Sequence, residues 1–284
     1  VSVVCVNGRF VAAKAARVSA LDRGFLYGDG LFETVRAYGG RLFLPGDHFD
    51  RLAKGAEAVG IVPPFDADGF ADLLEATRER NGLTDALVRL TLTRGEGPPV
   101  PDPAGSGPPT VVVTARPAPR DDPAAWQRGL SVVVARQVRA GQGALKSTSF
   151  LTHVLALKEA RERGADEALL VNPAGEVAEG SVGNLFGVWA GRLATPDPGA
   201  GALPGVTRGV VLDRARRLRI PAEERAVPVK ALEDAEELFL AGTGWEVMPV
   251  TRLEGRPVGP GLPGPVTERL RRAYREAVRA ALSA

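Results

Sequence analysis

Short stretches of apolar residues, broken by turn-forming pairs, open the chain. Val3–Val6 and Arg9–Val11 flank Asn7-Gly8, and Phe32–Tyr38 and Arg41–Phe43 flank Gly39-Gly40. Asn-Gly and Gly-Gly accept the positive φ angles of two-residue turns, so two β-hairpins are predicted. In His48–Val59 and Ala67–Asn81 apolar residues recur three and four apart, the spacing of helices with one buried face. Ala86–Thr93 and Thr110–Ala115 are strand-like again. Between them lies Gly95–Pro109, whose glycines and prolines hold neither a ladder nor a helix, and a surface loop is expected. Together these elements predict a small α+β domain with an antiparallel sheet over residues 1–116.

Prolines and charges from Arg116 to Pro123 read as a stiff linker, placed at residues 117–127. Beyond it, Leu130–Ala135 is a predicted strand and Thr152–Arg163 a helix ending at Gly164. Ala168–Asn172 and Glu176–Ala178 flank a turn at Pro173–Gly175, and Asn184–Trp189 pairs with Arg192–Ala194 across Ala190-Gly191. Thr207–Leu218 is helical, Glu237–Ala241 is a strand, and Pro265–Leu282 is an amphipathic closing helix. Residues 128–284 therefore form a larger, strand-rich, barrel-like domain with helices outside.

Composition narrows the partners. Across 284 residues, 36 Lys+Arg balance 34 Asp+Glu, so charge gives no reason to expect nucleic acid or an anionic membrane. Cys5 is the single cysteine, which excludes an internal disulfide, and with only His48 and His153 beside it no Cys/His zinc cluster is expected. No apolar run approaches the length of a membrane span, and the first residues lack the pattern of a signal peptide. A cytoplasmic enzyme or binding protein is the expectation.

Four segments could carry chemistry. Lys146 lies in Ala144-Leu145-Lys146-Ser147-Thr148, ahead of a predicted helix. A lysine in apolar surroundings loses its proton more easily, and the neutral amine condenses with aldehydes. Glu179, among small apolar neighbours in Val177-Ala178-Glu179-Gly180-Ser181, could face a protonated ring nitrogen. Val206-Thr207 opens a helix after Leu203-Pro204-Gly205, where free backbone N–H groups suit a phosphate. Thr243, between Gly242 and Gly244 after a strand, is a second such position. Taken singly, each has an ordinary reading as a surface lysine, a cap or a turn. His153 is expected to face solvent, and Cys5, Trp126, Trp189 and Trp245 to pack.

Together these segments resemble the class IV aminotransferases, the pyridoxal-5′-phosphate enzymes of fold type IV. The resemblance begins at Asp22-Arg23-Gly24 and Tyr27-Gly28-Asp29-Gly30-Leu31-Phe32-Glu33-Thr34, includes His48-Phe49-Asp50-Arg51-Leu52 and ends near Pro249. It implies that Lys146, in the C-terminal domain, forms the Schiff base and moves the proton at the substrate α-carbon. Glu179 would keep the ring nitrogen protonated. Arg51, the Val206 backbone N–H, Thr207 and Thr243 would hold the phosphate, and Leu203 would pack on the ring. A homodimer acting on a small amino-acid-like substrate is also implied.

Subtype motifs conflict. Branched-chain transaminases carry Phe-Glu-Gly and a tyrosine five residues after the lysine, where Thr34 and Leu151 stand here. D-amino-acid transaminases carry a tyrosine at the place of Phe32 and an Arg-x-His clamp that is missing after Thr93-Arg94-Gly95. 4-Amino-4-deoxychorismate lyases are similar at Thr34, which matches their threonine near the substrate, and at Lys146-Ser147-Thr148. Their loop arginine is replaced by Pro98 or Pro99, leaving Arg89, Arg94 and Arg136 as substitutes that read more simply as exterior strand charges. Elimination favours the lyase, which makes 4-aminobenzoate and pyruvate for folate biosynthesis. A D-amino-acid or branched-chain-type transaminase is the alternative, and a non-catalytic cofactor- or metabolite-binding protein the remote one.

Overall fold

The computed structural model describes residues 2–138 and 145–283, and their contacts divide the chain into two compact units. The first runs from the N-terminus to Pro119 and also contains Leu145–Phe150; the second begins at Arg120 and holds the remainder through Ser283. The expectation had assigned Lys146 to the C-terminal domain. Backbone hydrogen bonds to the first unit's sheet, described below, are the physical reason that it groups there instead.

In the first unit, β1 (Val3–Val6), β2 (Arg9–Ala12), β3 (Gly30–Tyr38), β4 (Arg41–Leu42), β5 (Ala86–Thr93) and β6 (Thr110–Pro117) form one antiparallel sheet, ordered β2-β1-β6-β5-β3-β4. Asn7 and Gly8 both have positive φ (48° and 78°), which matches the turn to the twist of its strands. Helices α2 (Pro45–Val59) and α3 (Ala67–Arg80) cover one face. There Leu31, Val35, Val88 and Leu90 pack with Leu52, Ala56, Phe70 and Leu74 in a closed core. A short α1 (Arg23–Tyr27) precedes the sheet.

The Pro-rich loop is ordered without a ladder because Arg23 organises it. Its buried guanidinium donates to the carbonyl oxygens of Val100 (2.7 Å), Pro101 (2.8 Å) and Asp102 (3.1 Å), while Nε donates to Asp29 (2.9 Å). Charge-assisted bonds of this kind replace the backbone partners that proline removes.

The second unit holds β7 (Leu130–Val138), β8 (Glu167–Val171), β9 (Val177–Gly180), β10 (Asn184–Trp189), β11 (Arg192–Pro196), β12 (Ala222–Arg225), β13 (Glu237–Gly242), β14 (Glu246–Leu253) and β15 (Arg256–Pro257). They form a mixed sheet ordered β12-β11-β10-β13-β14-β7-β8-β9, with β15 beside β14. β9 curls back against β10 and β11, giving a half-barrel. α4 (Pro123–Arg128) occupies part of the predicted linker: Asp122 caps it through the Ala125 N–H (3.0 Å), and Trp126 is buried. α5 (Leu151–Glu162), α6 (Val206–Arg217) and α7 (Pro265–Ser283) complete the unit.

The start of α7 is held by a strand. Buried Glu237, on β13, accepts from the N–H groups of Val266 (2.9 Å) and Thr267 (2.8 Å) and from the Thr267 hydroxyl (2.6 Å). Glu237→Ala strips these donors and should lower the free energy of unfolding by about 1–3 kcal/mol. Urea denaturation followed by circular dichroism measures it, and an unchanged midpoint would show the cap to be idle.

Candidate active site

The register of β3 sorts the first unit's site residues. Phe32, Thr34 and Arg36 point to one face, while Leu31, Glu33 and Val35 point toward the helices. Glu33 is thereby buried with a charge, and α2 supplies its partners one helical turn apart. Arg51 donates from Nε to Oε1 (2.8 Å) and from Nη2 to Oε2 (2.7 Å), and His48 Nδ1 lies 2.7 Å from Oε2. Burial alone would raise the Glu33 pKa, but the His48 and Arg51 hydrogen bonds and charges bring it down to about 2. Burial lowers the His48 pKa despite the pull of Glu33, with Arg51 and Lys146 adding to the lowering.

Lys146 is held at the edge of the same strand. The Phe32 N–H donates to the Lys146 carbonyl (2.9 Å), the Thr148 N–H donates to the Gly30 carbonyl (2.9 Å), and Leu31 bridges Ser147. The Thr148 hydroxyl donates to the Gly28 carbonyl (2.8 Å). Gly28 caps α1 with φ 67°, and a Cβ there would lie 2.3 Å from the Ser149 hydroxyl, so only glycine fits. Lys146 Nζ stands 4.6 Å from the centre of the Phe32 ring, and the Arg89 guanidinium 3.6 Å from it. Phe150 meets that ring edge-on at 5.5 Å.

Thr34 is half-buried and lies opposite Arg89 in the β3–β5 register. Arg89 is no exterior charge. It is half-buried, burial lowers its pKa, and its side chain donates to the Thr91 hydroxyl (3.3 Å). The other suggested substitutes are engaged or exposed: Arg94 pairs with Asp29 (2.7 Å), and Arg136 is 88% exposed beside Glu159.

In the second unit Glu179 is buried on β9, opposite Leu170. Its Oε2 accepts from the Leu203 N–H (3.0 Å), with Asn184 Nδ2 at 3.5 Å, and its Oε1 faces His153 Nε2 at 3.5 Å. His153 is therefore buried, not solvent-facing as expected: α5 turns Leu151, Val154 and Leu155 outward and His153, Ala156 and Ala160 inward. Asn184 ties the remaining pieces together. Its Nδ2 donates to the Leu203 carbonyl (2.8 Å), and a Cβ on Gly205 would lie 2.0 Å from its Oδ1. Gly205 is the N-cap of α6 and brings no side chain, leaving the first N–H groups of Val206 and Thr207 at a bare helix start. Asn184 also pairs with Ala241, and Thr243 follows in the glycine-flanked turn after β13. Asn184, His153, Arg89 and Phe150 are the residues that the motifs underweighted. A polar amide opening an apolar strand was the signal available for the first.

The chain belongs to the amino-transferase class IV family, which it matches over residues 30–253. It is 37% identical over 274 residues to a Methanocaldococcus jannaschii protein provisionally classed as a branched-chain-amino-acid aminotransferase, covering 96% of this chain and 95% of that one. It is 32% identical over 281 residues to the D-alanine aminotransferase of Listeria monocytogenes, covering 97% and 96%. Its fold is similar to that of the T.th. branched-chain amino acid aminotransferase solved with pyridoxamine 5′-phosphate, with a TM-score of 0.93, 30% identity and coverage of 99% and 95%. The expected family, fold type and pyridoxal-phosphate-dependent enzyme class all hold. The lyase subtype finds no support among these relatives, which are named as aminotransferases.

The Glu33 cluster yields a pH prediction. A carboxyl whose pKa is lower in the folded chain stabilises the fold above its ordinary value of 4.5 and loses that contribution as pH falls toward about 2. Unfolding free energy should therefore drop across that window. In Glu33→Gln the drop should be shallower, as read by denaturant titration at stepped pH.

Proposed function

We propose that the chain is an amino-acid transaminase whose substrates have apolar side chains, with branched-chain amino acids first among them. The observation that carries this reading is the Phe32 ring, which Lys146 and Arg89 both approach and Phe150 packs against. An amine, a guanidinium with no carboxylate partner among the described residues and an aromatic wall match the reacting nitrogen, the carboxylate and the apolar side chain of such a substrate. The named relatives agree with transamination.

The residues present fit pyridoxal phosphate: a lysine amine, a buried carboxylate and an uncapped helix start. When bound, that group supplies an aldehyde for amine capture and an electron-withdrawing ring. Lys146 would hold it through its amine and, once released by the substrate amine, would carry a proton to and from the substrate α-carbon. Glu179 would keep a proton on the ring nitrogen. The Val206 N–H, Thr207, Thr243 and Arg51 would receive the phosphate, Leu203 would pack on the ring, and Arg89 would orient the substrate carboxylate. Thr34, opposite Arg89, stands on the substrate side.

A homodimer belongs to this reading. Leu21, Phe25, Leu26 and Tyr27 expose apolar surface within one short segment, Phe25 by 76%. A monomer in sedimentation would remove this part.

D-Alanine transamination is the second reading, favoured by the Listeria relative. A panel of L-valine, L-leucine, L-isoleucine and D-alanine with a keto-acid acceptor separates the two, and the first is expected to prevail. Release of 4-aminobenzoate from aminodeoxychorismate would reinstate the lyase. Lys146→Ala should abolish the cofactor's protein-linked absorption and lower turnover at least about a thousandfold. Arg89→Leu should raise the KM for the amino acid about tenfold or more with a smaller change in kcat, and an unaltered KM would detach Arg89 from the substrate.

A further inference from the structure

The reaction reading leaves one buried titratable contact unused. His153 and Glu179 are 8% and 6% exposed, and Nε2 of the first lies 3.5 Å from Oε1 of the second. The other carboxylate oxygen, Oε2, is occupied by the Leu203 N–H and approached by Asn184. The terminal torsion of a carboxylate is broad, so a partner at each oxygen narrows the orientations it can take. The imidazole at Oε1 is such a partner.

We propose that His153 is a positioning residue for Glu179: it orients Oε1 so that the carboxylate meets the cofactor's ring nitrogen. This rests on the assignment of Glu179 to that nitrogen. The helix supports the placement, since α5 directs His153 inward with Ala156 and Ala160, small residues that let the helix lie close to the sheet. The contact is at the long end of hydrogen bonding, so the interaction is a guide rather than a strong bond. Its removal should therefore cost less than removal of Glu179 itself.

The test uses holoenzyme prepared from four variants. His153→Phe keeps a ring of similar size without a donor, and His153→Leu is its non-aromatic control. His153→Gln restores an N–H donor, and Glu179→Gln removes the charge. His153→Phe should lower kcat about tenfold while leaving the amino-acid KM within about twofold. It should also shift the bound cofactor's absorption in the same direction as Glu179→Gln, and His153→Gln should recover most of both. Parental kcat and absorption in His153→Phe or, where that variant does not fold, in His153→Leu would overturn the proposal. So would an effect that His153→Gln fails to relieve while thermal melting is unchanged. Should Glu179→Gln itself leave both absorption and kcat at parental values, the assignment of Glu179 falls first and this inference with it.

Discussion

Three residues paired to the edge of a strand fix the chemistry of the first unit. The Phe32 N–H to Lys146 carbonyl bond and the Thr148 N–H to Gly30 carbonyl bond extend the sheet beside the front half of β3, where β4 does not reach. A lysine on an unpaired loop would lose backbone freedom each time it reacted; here that entropy is surrendered on folding. Register is what this arrangement protects. A one-residue slip of β3 would exchange Phe32 for Glu33 on the Lys146 side and drive an aromatic ring among the charges of α2.

Buried carboxylates show how the protein separates structural charge from chemical charge. Glu33 is neutralised by a guanidinium fork and an imidazole, which leave it ionised far below neutral pH. Glu237 spends both oxygens on the start of α7. Glu167 accepts from the Ala168 and Ser181 N–H groups and the Ser181 hydroxyl through Oε1, while burial raises its pKa and its Oε2 has no hydrogen-bond partner among the described residues. Glu179 accepts from the Leu203 N–H through Oε2 and faces His153 with Oε1.

Most elements were legible because local sequence and tertiary need agree. Asn7-Gly8 and Gly39-Gly40 specify their turns outright, and α2 and α3 carry periodic apolar faces that become the core. β12 escaped notice because Ala222-Glu223-Glu224-Arg225 forms an exposed edge that needs no apolar residue. β14 escaped because Pro249 interrupts it, although the strand runs through. His153 was misplaced for a different reason: three of the large apolar residues of α5 face outward, so periodicity pointed to the wrong side. Lys146 was found through its motif, but its membership of the first unit depends on hydrogen bonds to residues more than a hundred positions away, which no local pattern encodes.

The conflict over subtype has the same origin. Motif spacing looked for an aromatic residue at position 151 and an arginine in the loop after Thr93-Arg94-Gly95. Leu151 is 67% exposed, and the aromatic contact with Phe32 comes from Phe150. The loop, in turn, has its carbonyls committed to Arg23, a job that shapes the loop without offering a cation to a substrate. In the proposed reading Arg89 fills that gap from the sheet. Desolvating a guanidinium against a phenyl ring and one hydroxyl is unfavourable in isolation, and an arriving carboxylate offsets the cost through paired charge-assisted bonds. In the proposed reading, an aromatic wall beside such a cation suits an apolar side chain carried on a carboxylate, and the sheet face, more than the motif positions, supports that reading.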